Sequence, residues 1–396
     1  MKKLLRSFFL LFPLLFLVAA LPAQILSTAP EMEYIEFGEK PGQSRVISRL
    51  ILGTDHLGKV PNQQTIDVLN EAVKLGINAF DTAPIYTDSI ESRLGEWLKA
   101  QNRSDLNVIT KGGFPRDLGP GTYYSRLHGS KEQIFANVLE EAKKSRANYT
   151  APITIYLMHR DDIQYWRYQK IERDQTPVQT IMEALSIPLL KKNYLMVGVS
   201  NWETPRVEET QKVAKEHSDL VRPVCNSPYF SLLEMGSGTI HSGGVQVTHE
   251  NMMDKEFQKG VKLMTYSPLG GFSIFSKGWE EAKKKALELK NNHDRYWGHV
   301  YDAIFHEANE KRWNRAVEFT RKFNEKHGTS YTLDQIANAY VLAHPRSDFL
   351  IIGPRTVEQL RRTVQVLKIA KMLTTADLDY LHGNDSESGN PQEQKQ

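Results

Sequence analysis

Cysteine is almost missing from this chain of 396 residues; Cys225 is the only one. One thiol excludes an internal disulfide and a cysteine-based metal cluster. A large excess of either charge is missing too. Lys plus Arg number 50 against 47 for Asp plus Glu, a net charge of +3, too balanced to recruit nucleic acid or an anionic membrane surface. There is no Gly-x-x-x-x-Gly-Lys-Ser/Thr phosphate loop and no Gly-x-Gly-x-x-Gly turn. Gly236-Ser-Gly238 lacks the third glycine and follows no strand-like run. No repeat with a period of roughly 20–50 residues is visible. The apolar run Phe8 to Leu21 is shorter than the ~20 residues that span a bilayer.

That run still carries information. Lys2, Lys3 and Arg6 precede it, and Leu21-Pro22-Ala23 follows as a small-residue cleavage site. Basic start, apolar middle and small-residue end are the plan of a secretory signal over residues 1–23, cut after Ala23. An uncut signal anchor is the rival reading; either way the remainder is exported, with no stable span once the signal is removed. Sequons stand at Asn102, Asn148 and Asn384 and matter only in a eukaryotic secretory route. At the other end, Gly383–Gln396 is polar and repetitive and is expected to form a disordered tail.

Between these ends, 40% hydrophobic and 24% charged residues describe a globular chain. Its length suits one barrel of about 250 residues or more with insertions. Short apolar runs alternate with amphipathic stretches. The runs read as strands near Leu50–Gly53, Ala79–Asp81, Asn107–Lys111, Thr154–Met158, Met196–Ser200, Pro223–Asn226, Lys262–Thr265 and Phe349–Ile352. They are near-continuously apolar, as strands buried on both faces should be. Ser130-Lys-Glu-Gln133, Thr332-Leu-Asp-Gln335 and Thr356-Val-Glu-Gln359 fit capping boxes, and Thr204-Pro205 fits a cap before a first-turn proline. Eight strand–helix units predict an α/β fold, a (β/α)₈ TIM barrel over residues 32–382 with an N-terminal hairpin. A doubly wound open sheet is the alternative. Leu233–Met253 and Phe272–Arg315 break the rhythm after strands six and seven, as substrate-side loops or as solvated decoration.

Four polar residues stand at successive strand ends. Asp81 closes the second strand and Tyr86 follows five residues later; Lys111 closes the third and His159 the fourth. A barrel places such positions on one rim. A tyrosine with a pKa of about 10 is a poor acid at neutral pH, and a neighbouring ammonium favours the phenolate. Asp81 would hold Lys111 charged, His159 would address a substrate carbonyl, and Tyr86 would give or take the proton. Singly, each has an ordinary use as a cap, loop aromatic, strand end or buried histidine. No metal site is expected. A barrel hydrolase would need paired carboxylates, and Asp161 and Asp162, adjacent in sequence, point different ways.

These residues lie in blocks that resemble the aldo-keto reductases from about Tyr34 to His382. The blocks are Asp81-Thr-Ala-Pro-Ile-Tyr86, Ile109-Thr-Lys111, Leu157-Met-His159-Arg-Asp161-Asp162, Val197-Gly-Val-Ser-Asn201-Trp202, Tyr266-Ser-Pro-Leu-Gly270 and Gly353-Pro-Arg355-Thr-Val-Glu-Gln359-Leu. The family's Asp, Tyr, Lys and His tetrad falls on Asp81, Tyr86, Lys111 and His159. The resemblance implies hydride transfer between NADP(H) and an aldehyde, ketone or sugar-like carbonyl or alcohol. It also implies an extended dinucleotide across the barrel mouth. Ser200 and Asn201 would bind its carboxamide, with Ser227 standing where relatives often carry Gln. Tyr266 would stack on the nicotinamide, and Ser267, Pro268 and Leu269 would line the pyrophosphate path. Gly353, Arg355 and Gln359 would meet the adenosine end. There Gly353 allows close approach, Arg355 offers a planar fork for a 2′-phosphate, and the helix after Thr356 exposes amides to anions. Thr363 replaces an Asn often seen in relatives. Substrate, reaction direction and oligomeric state are not legible. An export signal sits awkwardly with NADP(H), because a chain threaded unfolded leaves its cofactor behind. That leaves an exported NADP-binding sensor with little turnover as the competing reading.

Overall fold

The computed structural model describes residues 30–38, 44–87, 89–117, 123–162, 174–237, 239–240, 243–270, 274–292 and 295–384. The expected signal, 1–23, and residues 385–396 of the expected tail lie outside these residues; Gly383 and Asn384 are described, their amides bonding the Asp379 carbonyl at 2.8 and 3.0 Å. Among these residues the strands are, in chain order, β1 (Tyr34–Phe37), β2 (Arg45–Ser48), β3 (Leu50–Gly53), β4 (Ala79–Asp81), β5 (Asn107–Gly112), β6 (Arg116–Asp117), β7 (Tyr123–Tyr124), β8 (Ile153–Met158), β9 (Tyr194–Ser200), β10 (Cys225–Ser227), β11 (Lys262–Thr265) and β12 (Phe349–Ile352).

Eight of them close a parallel barrel in the order β10-β11-β12-β3-β4-β5-β8-β9. These are the eight strands expected from the apolar runs. The open-sheet alternative is excluded by the pairing of β12 with β3 and of β9 with β10. Alternation along each strand sorts the side chains. Ile51, Ala79, Ile109, Ile155, Leu157, Met196, Cys225, Met264 and Ile351 belong to the cluster inside the barrel. Leu50, Leu52, Phe80, Val108, Tyr156, Val197, Leu263 and Ile352 pack outward with the surrounding helices. Period two therefore carries Asp81, two after Ala79, and Lys111, two after Ile109, to the inner face at the C-terminal end. Thr110 between them faces out.

The antiparallel hairpin β1–β2 closes the other end. Phe37 and Ile47 join the barrel interior, with the Phe37 ring 5.7 Å from that of Phe349. Asn78 ties hairpin to barrel: its Oδ1 accepts from the Ser48 amide at 2.9 Å and its Nδ2 donates to the Val46 carbonyl at 2.8 Å. This plug leaves the C-terminal mouth as the face from which the barrel interior is approached.

Helix starts follow the sequence with two adjustments. Ser130 and Thr332 form the expected boxes with Gln133 and Gln335. Thr204, by contrast, is already the first helical residue, with Glu203 as the cap; its hydroxyl accepts from Gln258 Nε2 at 2.9 Å. At Thr356 the box is half made. The Thr356 hydroxyl accepts from the Gln359 amide, but the Gln359 side chain takes the amide of Arg355 instead, at 2.8 Å.

The two interruptions pack on each other. Helices Ile274–Lys277, Trp279–Asn291, Arg295–Ile304 and Glu307–His327 make up much of the second. Ile274, Trp279, Val300, Ile304 and Phe305 bury against Leu233, Met235 and Ile240 of the first, a satellite core that also touches Tyr266. The stretch after β5 is partly a small β6–β7 hairpin. No helix among the described residues is long and apolar enough to cross a membrane.

Candidate active site

Three of the four strand-end residues are in direct contact. Lys111 Nζ donates to both Asp81 carboxylate oxygens at 2.7 Å, to the Thr82 carbonyl at 2.9 Å and to Tyr86 Oη at 2.6 Å. Tyr86 Oη in turn donates to Asp81 Oδ1 at 3.1 Å. The ammonium also lies 4.6 Å from the centre of the Tyr86 ring. One ammonium held by both oxygens of one carboxylate is the geometry of a charged pair. Register makes the contact. Asp81 pairs with Ile109, so Lys111 stands two residues further along the adjacent strand on the same inner face. A turn closed by the Tyr86 amide on the Ala83 carbonyl, 3.1 Å, folds the phenol back over them.

His159 completes the group from β8's end. Its amide bonds the Gly112 carbonyl at 2.8 Å, which fixes its height on the rim. Its ring stands edge-on between Tyr86, 6.2 Å away, and Phe114, 5.0 Å away.

The electrostatics correct one expectation. The Lys111 ammonium was expected to make the phenol more acidic. Burial pushes Tyr86 well up, and the carboxylates of Asp81 and Asp55 add to it; together they outweigh the cation. The phenol is held protonated, the form a proton donor needs.

One buried carboxylate here escaped sequence reasoning. Glu91 lies behind β5, on the opposite side from Lys111, and accepts from Thr110 Oγ1 at 2.6 Å, Ser145 Oγ at 3.0 Å and Tyr149 Oη at 3.4 Å. Burial pushes its carboxyl up, against those hydroxyls and the field of Lys111. Asp161 and Asp162 diverge as expected. Asp161 grips Arg206 with both oxygens, at 2.8 and 2.9 Å, while Asp162 accepts from the Thr176 amide and hydroxyl, both at 2.8 Å.

The expected cofactor residues fall in two groups on the same mouth. In the first, Ser200 Oγ donates to the Ser227 carbonyl at 3.1 Å and Ser227 Oγ to the Met264 carbonyl at 2.8 Å. Asn201 Nδ2 donates to Ser200 Oγ at 2.9 Å, and its Oδ1 accepts from Tyr266 Oη at 2.6 Å and the Val245 amide at 3.1 Å. The first interruption thus reaches the rim through Val245, a contact that no local pattern announced. Asn201 and Ser267 hold φ of 57° and 53°, left-handed conformations that cost energy and cluster at ligand sites. Pro268 is fixed by its carbonyl, which accepts from Ser231 Oγ at 2.9 Å, and Leu269 beside it is half-buried.

The second group lies at the β12 end. Arg355 is exposed, and its Nη2 meets His56 Nδ1 at 3.3 Å. A Cβ at Gly353 would come within 3.1 Å of His56 Cδ2, so that glycine makes room for the imidazole. The amides expected to be open to anions are partly used: the Arg355 amide by Gln359 and the Gln359 amide by Thr356. The exposed fork of Arg355 is the feature that fits a phosphate.

Comparisons with known proteins agree with this geometry. Residues 49–383 match the Aldo/keto reductase family. A "Probable aryl-alcohol dehydrogenase" of Saccharomyces cerevisiae is 23% identical over 336 residues, covering 82% of this chain and 88% of the yeast protein. An "Uncharacterized oxidoreductase" of Bacillus subtilis is 25% identical over 332 residues, covering 82% of this chain and 88% of its own. The L-glyceraldehyde 3-phosphate reductase of Escherichia coli is 23% identical over 318 residues, covering 79% and 80%. A match over most of the chain, on a closed eight-stranded barrel, makes the protein an oxidoreductase that belongs to the aldo/keto reductase family.

Proposed function

We propose that this chain moves hydride between NADP(H) and an aldehyde, ketone or sugar-like carbonyl or alcohol, with Tyr86 as general acid and base. The observation that carries the reading is the phenol of Tyr86, 2.6 Å from Lys111 Nζ and partly buried at the barrel mouth. The bound nicotinamide supplies or accepts the hydride. The protein's part is the proton. Tyr86 gives it to the carbonyl oxygen, and Lys111, already donating to Oη, stabilises the phenolate left behind. Asp81 keeps the ammonium charged. His159, beside the Tyr86 ring, addresses the same substrate oxygen. In the alcohol direction the phenolate removes the proton. Ser200, Asn201, Ser227 and Tyr266 would hold the nicotinamide end, Ser267 to Leu269 the pyrophosphate, and Gly353, Arg355 and Gln359 the adenosine phosphate. The names of the yeast and Escherichia coli relatives, an aryl alcohol and a phosphorylated aldehyde, support a small carbonyl or alcohol as substrate. The basic and apolar N-terminus supports export, which sequencing the mature N-terminus tests.

Tyr86→Phe removes the proton and keeps the ring. NADPH-dependent reduction of a carbonyl panel should fall by about 10²–10⁴-fold, with nucleotide affinity retained. Unchanged turnover in the variant would overturn the role of Tyr86. Binding without turnover in the wild type would favour the sensor. Arg355→Ala tests the cofactor. Loss of a charge-assisted phosphate contact, worth about 1.5–3 kcal/mol, should weaken NADPH by roughly 10–150-fold and leave NADH almost unchanged. Equal weakening of both would remove Arg355 from phosphate recognition.

A further inference from the structure

The imidazole of His56 has an odd neighbour. Its Nδ1 lies 3.3 Å from the Arg355 guanidinium, which can only donate, so a hydrogen bond there requires Nδ1 to accept, as in a neutral ring. The same nitrogen is 3.6 Å from Asp55 Oδ2, and that carboxylate is itself held by Lys59 Nζ at 2.9 Å. The charged groups facing the ring are therefore Arg355 from the β12 end, and Asp55 and Lys59 from its own turn. Burial and the Arg355 charge favour the neutral ring, and Asp55 opposes them. Gln64, from the neighbouring helix Asn62–Lys74, holds the Arg355 carbonyl at 2.6 Å, and Gly353 leaves the ring its space. A histidine has been fitted against an exposed guanidinium at this end of the mouth. Both side chains carry further N–H groups.

We propose that His56 is a second, titratable ligand of the anion that Arg355 binds, so that a phosphate monoester, here the 2′-phosphate of NADP(H), is taken up together with a proton. The inference rests on the cofactor reading above. Arg355 alone supplies a fixed charge. Adding imidazolium beside it is unfavourable until an anion lies between them, because two cations 3.3 Å apart repel. A dianion reverses that balance. His56 gains a proton, and the ring turns from an acceptor for Arg355 into a second cationic donor. Discrimination between NADP(H) and NAD(H) then depends on pH. The sign is set by the free ring, held below the usual imidazole range, and the bound ring, raised by the phosphate. Between those two values binding takes up a proton, and NADP affinity falls as pH rises, by at most about tenfold per unit for one group. The phosphate's own second ionisation, at about 6, works the other way, because preferring the dianion releases a proton.

Calorimetric titration of the full chain near neutral pH, in buffers of differing ionisation enthalpy, separates these contributions. Wild type should take up protons with NADP⁺ and none with NAD⁺. In His56→Gln, which keeps a polar side chain but cannot titrate, the uptake should vanish or change sign to release. Uptake that persists in His56→Gln, or that is equal for the two nucleotides in wild type, overturns the role of His56 while leaving the cofactor reading intact. The wild-type comparison stands by itself if the variant folds poorly. Failure of NADP⁺ to bind overturns both.

Discussion

Two of the buried polar clusters teach different things. One is Asp81, Tyr86 and Lys111 at the barrel mouth. The other lies outside the barrel, where His249 Nδ1 meets His344 Nε2 at 2.9 Å, His249 Nε2 meets Asp379 Oδ1 at 3.0 Å, and the His249 and His382 rings stack at 4.4 Å. His382 Nε2 contacts Glu234 Oε1 at 3.2 Å, and Arg312 Nη2 holds the same carboxylate at 2.8 Å. By residue type the histidine cluster is the more suggestive of chemistry. Yet among the described residues no group of three His, Cys, Asp or Glu side chains is arranged to hold a metal. Its members bond one another and join helix His249–Met253, the end of helix Leu333–Ala343 and the last helix, Thr375–His382. The first cluster keeps a hydroxyl at a mouth where a substrate can arrive. Burial of polar groups does not mark a site; a buried charge that holds a reachable proton does.

The sharpest way to break the comparison is to remove one charge. Lys111→Met strands the Asp81 carboxylate, which should cost about 3–5 kcal/mol in the denaturation midpoint as well as abolishing turnover. Burial already raises the Asp81 carboxyl, with Lys111 opposing, and without the ammonium it is pushed higher above its unfolded value. Stability is then present at low pH and lost as pH rises through the folded pKa. Asp81→Asn with Lys111→Met removes both charges and should recover most of the stability but none of the rate. If the double variant is as unstable as the single one, the pair is not what its geometry says.

Much of this was legible from residue order. The barrel strands are apolar on both faces, so each announced itself, and the first ionisable residue after each run marked the rim. Asp81, Tyr86, Lys111 and His159 come together for that reason. What stayed hidden depends on burial or on distance along the chain. Glu91 reads as an ordinary acid in a helix's first turn; only the fold places it behind Lys111. The sequence shows the cation beside Tyr86 but not the desolvation that outweighs it. Val245 reaches Asn201 from an insertion with no period to read, and the Gln359 side chain bonds one residue earlier than its motif suggests.

The histidine cluster answers with the opposite slope and a smaller effect. His344 donates from Nδ1 to the Tyr340 carbonyl at 2.7 Å and, buried, is pushed down to about 3. His249 is also lowered by burial, with Asp379 opposing. An unfolded histidine titrates at about 6.5, so between the two values the unfolded chain binds more protons and stability falls as pH falls. At about 1.4 kcal/mol per unit, His344 alone accounts for roughly 2 kcal/mol between pH 6.5 and 5. His344→Gln keeps hydrogen-bonding groups without a titrating one. Urea midpoints at pH 7.5 and 5 should show the variant less stable than wild type at the higher pH, by about 1 kcal/mol, but losing less on acidification. Equal losses in both proteins would mean that some other group sets the acid sensitivity. An acid-stabilised Lys111→Met beside an acid-destabilised wild type would assign each slope to its cluster: one keeps an ammonium on its carboxylate, the other keeps the buried His344 ring neutral.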